Sequence, residues 1–444
     1  MKLFQPKTFT VFKTYKTKDY ISDIIAGIIV AIIALPLSIA LAIASGATPE
    51  TGLFTAIIAG FVTSLLGGSR VNITGPTAAF ATIVAGIILT QGMDGLFLAT
   101  IMAGIILIIM GLLRVGSLIK YIPHTITVGF TSGIAVTLAI GQLKDFFGLT
   151  YPSGTVAIET TEKIGLIIEH FSTINPWALC VGILGLLILI FLPKIKFLSK
   201  VPASLIAVIV GALVCIIPFV SANTIGSLYT ISSGLPKFNL PVITGERILS
   251  LLPNAFTIAL LAGIESLLSC VVSDKMINDK HNSNTELIAL GTSNLLVGFF
   301  GGIPATGAIA RTAANVKNGG KSPLSGMVHA IVLLLVLVIL MPLASYIPMP
   351  IIASILIMVA YNMSEWRQFV AIIKSKKWND ILVLVLTFAL TVIFDLVKAI
   401  AVGLIVHYLI VLIRFIIEKR KAKKVAPLTT ETEVKEEPKN EEKN

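Results

Sequence analysis

The chain has 444 residues, of which 55% are hydrophobic and 13% charged, with a formal net charge of +11; its mean hydropathy is +0.94. A soluble domain carries roughly 25% charged residues and could not hide this much apolar side chain in one core, whereas lipid takes up the excess. A soluble globular domain is thereby excluded, and the basic balance calls for a source other than nucleic-acid binding.

Residues 1–21 carry Lys2, Lys7, Lys13, Lys16 and Lys18 without a long apolar run. This is not the pattern of a cleavable signal peptide, so the segment is expected to be a cytoplasmic N-terminal stretch followed by a retained membrane helix. From there the apolar stretches are continuous, without the dyad alternation of a barrel. The expected architecture is an all-α polytopic membrane protein with about fourteen spans, at 22–44, 52–67, 76–90, 95–113, 123–141, 176–193, 202–220, 253–272, 284–300, 307–317, 323–342, 349–363, 379–394 and 397–417. Seven lie in 22–220 and seven in 253–417, separated by an extracellular connector at 221–252; residues 418–444 read as a disordered cytoplasmic tail. Residues 364–377 read as an amphipathic interfacial helix. In the first span Pro36 is expected to kink the helix, so that Ser38 and its apolar neighbours line a cavity; Asp23 reads as a simple helix-end residue.

Loop charge supports an even number of spans. With a cytoplasmic N-terminus, the inner returns carry Arg70, Arg114, Lys120, Lys194, Lys196, Lys200, Lys275, Lys280, Lys317, Lys321, Arg367, Lys374, Lys376 and Lys377. The short outer loops at 45–51, 91–94, 300–305 and 343–348 carry no basic residue. This is the positive-inside asymmetry, and it accounts for the net charge. The localisation read from it is a multi-pass cell membrane protein with both termini cytoplasmic.

The two halves echo one another. Leu65-Leu66-Gly67-Gly68 is matched by Phe299-Phe300-Gly301-Gly302, and Tyr121-Ile122-Pro123 by Tyr346-Ile347-Pro348. Two copies of an odd number of spans insert upside down relative to each other, the inverted repeat of many secondary transporters. After each Gly-Gly comes a segment with Gly, Pro and Thr at membrane depth: Arg70 to Phe80, and Gly301 to Arg311. Val71-Asn72-Ile73-Thr74 is expected to run extended to mid-membrane, with Pro76 in the first turn of a half-helix. Two half-helices meeting with their amino ends inward form an anion site from backbone N–H groups and dipoles, and the small residues Gly75, Ala78, Gly307 and Ala308 permit close approach. The competing reading is packing kinks, common in membrane helices.

Two ionisable residues stand out. Glu265 lies within an apolar span, where a charge costs roughly 3 kcal/mol or more and usually serves a function. It suits a proton carrier, or, with Ser269 one turn on, a sodium site; the competing role is structural hydrogen bonding. Arg311 follows the second break and either adds positive charge to the anion site or snorkels to the cytoplasmic interface.

The stretch from Ser22 to Ile87, the segment AGIESLLSCVVSDKM and the segment GGIPATGAIARTAANVKNGGKSPLSG resemble, in family order, the SulP or sulfate permease anion transporters. The resemblance covers most of residues 20–417. It implies two inverted seven-span repeats divided into a core and a gate domain, an anion site between the half-helices of spans 3 and 10, and an elevator-like movement of the core. By this similarity Gly75, Pro76, Thr77 and Ala78 match the span 3 contacts, and Thr306, Gly307, Ala308, Ala310 and Arg311 fall in the span 10 contacts. Glu265 matches the acidic position tied to proton or sodium coupling, and Leu37 and Leu41 match cavity-lining positions of span 1. Most members continue into a cytoplasmic STAS domain, which this chain is too short to contain. Leu37 replaces a polar residue and Ala310 a serine of some relatives, which leaves more of the anion's contacts to the backbone.

The function expected is therefore secondary active transport of a small inorganic oxyanion of the sulfate or bicarbonate class, coupled to H+ or Na+. The alternatives are an uncoupled anion channel or exchanger, or a dicarboxylate transporter on the same fold. A nucleobase permease would need a second carboxylate near span 10, and Gly301 to Arg311 contains none. No nucleophile, phosphate-binding or metal-ligand motif indicates an enzyme, and no cofactor or metal is expected. Cys180, Cys215 and Cys270 are isolated in apolar runs and read as inert thiols. The partners expected are the anion, the coupling ion and membrane lipid; the sequence does not choose between a monomer and a homodimer.

Overall fold

The computed structural model describes residues 4–12, 15–117, 123–152, 154–155, 157–195, 201–393, 399, 402–413 and 416. The expected tail at 418–444, Tyr121 and Ile122 of the echo, and Lys120, Lys196 and Lys200 lie outside the described residues, as do parts of the last expected span.

The helices are α1 (Lys7–Val11), α2 (Thr17–Ala44), α3 (Pro49–Leu66), α4 (Ala81–Leu112), α5 (His124–Phe147), α6 (Thr160–Glu169), α7 (Pro176–Phe191), α8 (Ala203–Cys215) and α9 (Ile225–Leu228). There follow α10 (Gly245–Ile277), α11 (Ser283–Phe299), α12 (Ile309–Lys317), α13 (Pro323–Leu340), α14 (Met349–Met363), α15 (Trp366–Lys374) and α16 (Trp378–Ile393). A further apolar helix, α17, covers Val402–Ile413. Two two-residue strands, β1 (Thr74–Gly75) and β2 (Thr306–Gly307), interrupt this pattern. Among the described residues eight helices are long and apolar enough to cross a membrane, and the chain is an all-α membrane protein.

The elements pack as two groups. In one, α4 lies along α11 and α10, α13 lies along α2 and α3, and α12 packs on α10 and α2. In the other, α5 packs on α14 and α16, and α7 on α14 and α8. The groups meet where α2 touches α14 and α8, and where α5 touches the 3-10 turn Ala78–Phe80. On the outer surface α7 buries only Ala178, Val181, Gly182 and Gly185, and it exposes Ile183, Leu187 and Ile190, a surface suited to lipid rather than water.

The stretches expected as spans 3 and 4 form two helical arms of α4 that break at Gly92, within the loop expected at 91–94, at a φ of 68° that only glycine adopts easily. Two expectations need correction. α10 begins at Gly245, reaching back into the expected connector, because Thr244 caps the amide of Arg247 at 3.3 Å and Arg247 is anchored to Asp94 at 2.5 Å. Asp23 is no mere end residue. It is fully buried, and it accepts hydrogen bonds from Tyr15, from the Ser322 hydroxyl at 2.5 Å and from the Lys321 amide at 2.6 Å. It therefore ties the start of α2 to the entry of α13. The stretch expected to lie at the interface contains α15, which has no buried residue.

Candidate functional site

The two interrupted segments meet. β1 pairs antiparallel with β2, in the register Thr74 to Gly307 and Gly75 to Thr306, and the Ala308 amide donates to the Ile73 carbonyl at 2.9 Å. This pairing satisfies backbone groups that would otherwise be exposed inside the membrane. Each strand leads straight into a helical start: β1 into the 3-10 turn Ala78–Phe80 and then α4, β2 into α12. The first N–H groups of a helix have no intrahelical acceptor, so both starts carry free donors and a positive dipole end.

Pro76 stands apart from the expected position. The helical turn starts at Ala78, so Pro76 belongs to the extended approach and its role lies in its carbonyl. That oxygen accepts from Arg311 Nη2 at 2.7 Å. Arg311 is 2% exposed and does not reach the interface; among the described residues its Nε and Nη1 have no partner. Gly75 makes this possible, because a Cβ there would lie 2.3 Å from Arg311 Nη1.

Around this centre exposure is uneven. Ala310 is exposed and Leu37, Thr77, Glu265 and Ala308 are partly so, whereas Ser38, Leu41, Gly75, Pro76, Ala78, Thr306, Gly307 and Arg311 are buried. Thr77 Oγ1 donates to Glu265 Oε2 at 3.0 Å, joining α10 to the end of the β1 approach. Thr306 Oγ1 donates to the Ala262 carbonyl at 2.7 Å, which fixes β2 to the same helix. Ser269 is directed elsewhere: its hydroxyl donates to Asn72 Oδ1 at 2.7 Å and lies 3.1 Å from Thr312 Oγ1. The structure thus brings Thr77 and Glu265 into direct contact and gives Ser269 a different hydrogen-bonding partner. A cavity of about 720 Å³ reaches Ala78 and Ala79 from between α2, α4, α5 and α6.

Several buried polar residues were not singled out from the sequence. Glu286 on α11 is 1% exposed and accepts from the Gly68 amide at 2.8 Å, the Ser69 amide at 3.1 Å and Asn72 Nδ2 at 2.7 Å. Asn72 spends its other amide atom on Ser269 and Thr312, and Thr312 Oγ1 in turn accepts from the Ile73 amide at 3.0 Å. Asn315 Nδ2 donates to the Val71 carbonyl at 2.9 Å. These groups hold the extended run 71–75 in place. The signal was present as polar residues at helical spacing, Asn315 and Thr312 lying three apart on one face of the short amphipathic helix that also bears Arg311.

Residues 20–387 match the model of the Sulfate permease family. The chain belongs to that family. Membership makes it a membrane anion transporter rather than an enzyme. It is 43% identical over 403 residues to "Putative sulfate transporter YvdB" of Bacillus subtilis, a match that covers 89% of this chain and 74% of that one. It is 32% identical over 387 residues to "Bicarbonate transporter BicA" of Synechocystis, covering 86% of this chain and 67% of the relative. The solved transmembrane domain of a cyanobacterial bicarbonate transporter BicA superimposes with a TM-score of 0.78 at 30% identity, over 88% of this chain and 98% of that one. In this sulfate permease family member, the two Thr-Gly pairs thus lie face to face at the start of two helices.

Proposed function

We propose that the protein is a secondary active transporter of a small inorganic oxyanion of the sulfate or bicarbonate class, coupled to H+ or Na+ and working by an elevator-type movement. In this reading the fourteen spans form two inverted seven-span repeats with both termini cytoplasmic. The group built on α2, α3, α4, α10, α11, α12 and α13 is the moving core, and the group built on α5, α7, α8, α14 and α16 is the gate.

The observation that carries the reading is the pairing of Thr74–Gly75 with Thr306–Gly307, which sets two helix starts beside one buried guanidinium. A tetrahedral or planar oxyanion accepts several N–H donors at once, and dipole ends bind it without close charged side chains. Thr77, Ala78, Ala308 and Ala310 offer the backbone surface, Gly75, Gly307 and Thr306 shape it, and Leu37, Ser38 and Leu41 of α2 are assigned to the wall of the anion's path.

Coupling is assigned to Glu265. Its hydrogen bond from Thr77 links the occupied or empty state of the anion surface to the charge of one carboxylate. Ser269 supports coupling indirectly, through Asn72 and the extended run. The relatives named above include both a putative sulfate transporter and bicarbonate transporters, and both anions belong in the test. In proteoliposomes offered labelled sulfate and bicarbonate under imposed proton or sodium gradients, wild-type protein accumulates one of them, and Glu265→Gln binds it but no longer accumulates it. Undiminished accumulation by Glu265→Gln removes Glu265 from coupling; downhill flux insensitive to every gradient in the wild type favours the channel.

A further inference from the structure

The reading above uses only the inner end of the cavity, at Ala78 and Ala79. Its other lining residues lead away past Gly86 and Leu89 of α4, and Thr137, Gly141 and Gln142 of α5, to Lys163 on α6. Lys163 is the sole cationic side chain among the lining residues.

Its setting is specific. The ammonium Nζ lies 3.9 Å from the point a Cβ on Gly141 would occupy, so the side chain lies against α5 at ordinary contact distance. Among the described residues it forms no ion pair, although long surface lysines commonly find one. Two carboxylates line the same cavity. Glu159 stands at the N-cap of α6, where its amide donates to Glu162 Oε2 at 3.2 Å, and Asp145 on α5 lies beyond ion-pair distance of Lys163. Glu162, the neighbouring carboxylate on α6, acts on Lys163 through space, but among the described residues no carboxylate comes within ion-pair distance of the ammonium.

We propose that Lys163 is a capture point for the oxyanion, which binds there before passing down the cavity to the helix starts at Ala78. An ammonium on the wall of a low-dielectric cleft attracts an anion, and Asp145 and Glu159 on the same lining hold the gain to about tenfold, the low end of electrostatic steering. Lys163 has three donors for a small oxyanion, and Gln142 and Thr160 beside it supply neutral hydrogen-bonding groups. The proposal rests on the transport reading, since it needs an anion entering by this cavity.

The test compares Lys163→Gln, Lys163→Glu and Lys163→Arg in vesicles of known orientation, with labelled sulfate and labelled bicarbonate supplied from each face in turn. From the cavity face, at low ionic strength, kcat/KM falls about tenfold in Lys163→Gln and further in Lys163→Glu, while Lys163→Arg keeps most of it. kcat and transport from the opposite face stay at wild-type values, and the deficit shrinks as salt is raised. A second readout does not need transport: sodium sulfate, compared with sodium gluconate at equal ionic strength, slows modification of Lys163 by an amine-reactive ester. Unchanged kcat/KM in Lys163→Glu together with no protection by sulfate overturns the capture point and leaves the transport reading standing. Protection by sulfate in a protein that carries no oxyanion overturns the transport reading, and with it onward passage from Lys163, and leaves only an oxyanion-binding site there.

Discussion

Replacing Arg311 by Met separates a structural role from an anion-binding one, because the structure gives the two roles different energies. The guanidinium makes one hydrogen bond to the protein, 2.7 Å to the Pro76 carbonyl, and buries Nε and Nη1 unpartnered. A hydrogen bond from a charged group contributes about 1.5–3 kcal/mol, and each buried unpaired donor costs about 1–3 kcal/mol. Met fills nearly the same volume and removes all of these at once. The net change in stability is therefore within about 2 kcal/mol of zero, as is common when a buried charge is replaced by a packed apolar residue. The anion feels the change directly. Nη1 lies 2.3 Å from the point a Cβ on Gly75 would occupy. An anion over the neighbouring amides is then on the order of 5 Å from the charge, worth about 3 kcal/mol at an effective dielectric constant of about 20. Water in the crevice reduces this, so sulfate affinity measured by titration calorimetry on purified Arg311→Met should fall about 10- to 100-fold with a small shift in melting temperature. Wild-type affinity in folded Arg311→Met would refute the electrostatic role, and collapse of the fold with affinity retained in what remains would make Arg311 a clamp.

Glu286→Gln keeps an acceptor for the Gly68 and Ser69 amides but turns an NH2 toward Asn72 Nδ2, which cannot flip because Asn72 Oδ1 already serves Ser269 and Thr312. The expected cost is about 2–4 kcal/mol, and combining it with Asn72→Ala should cost less than the sum; additive effects in thermal melts would deny the link. Ala78→Phe or Ala308→Phe fills the space over the helix starts and should abolish sulfate binding while the protein stays folded; unaltered affinity would put the pocket elsewhere. Burial pushes the Asp279 carboxyl up, but the bond from Lys7 at 2.8 Å, the Lys280 amide and the Arg70 charge outweigh it and hold the pKa below the ordinary value. A depressed carboxylate stabilises above its unfolded pKa, so the hold on the N-terminal segment should be intact at neutral pH and be lost as pH falls through the folded-state value. Protease cleavage near Lys7 should then accelerate in acid in the wild type and be fast at all pH values in Asp279→Asn.

Much of the fold was legible because lipid imposes a one-dimensional rule. Segments that cross it must be apolar, continuous and helical, so hydropathy alone located most of the long apolar helices, while the short α6 and α9 and the start of α10 at Gly245 escaped it. The two breaks were legible for the converse reason: Thr-Gly at positions 74–75 and 306–307 is poor helix sequence, and at membrane depth its backbone groups need partners. Repetition of that dipeptide was the available sign that the breaks pair with each other, and it went unused.

What hydropathy left open was which polar atom meets which. Glu265 and Ser269 lie one turn apart, which suggested a shared ion, yet one bonds Thr77 and the other Asn72. Asn72 and Glu286 are 214 positions apart, and Lys163 reaches its cavity from a short helix packed on α5 and α16. Composition, helical periodicity and loop charge act along the chain, so the sequence by itself determined a lipid-embedded helical protein with two broken segments. Hydrogen bonds and charges between distant segments depend on a few tenths of a nanometre in three dimensions, and only the tertiary structure decided that the breaks pair, that Arg311 is buried against Pro76, and that Glu286 holds the strand between them.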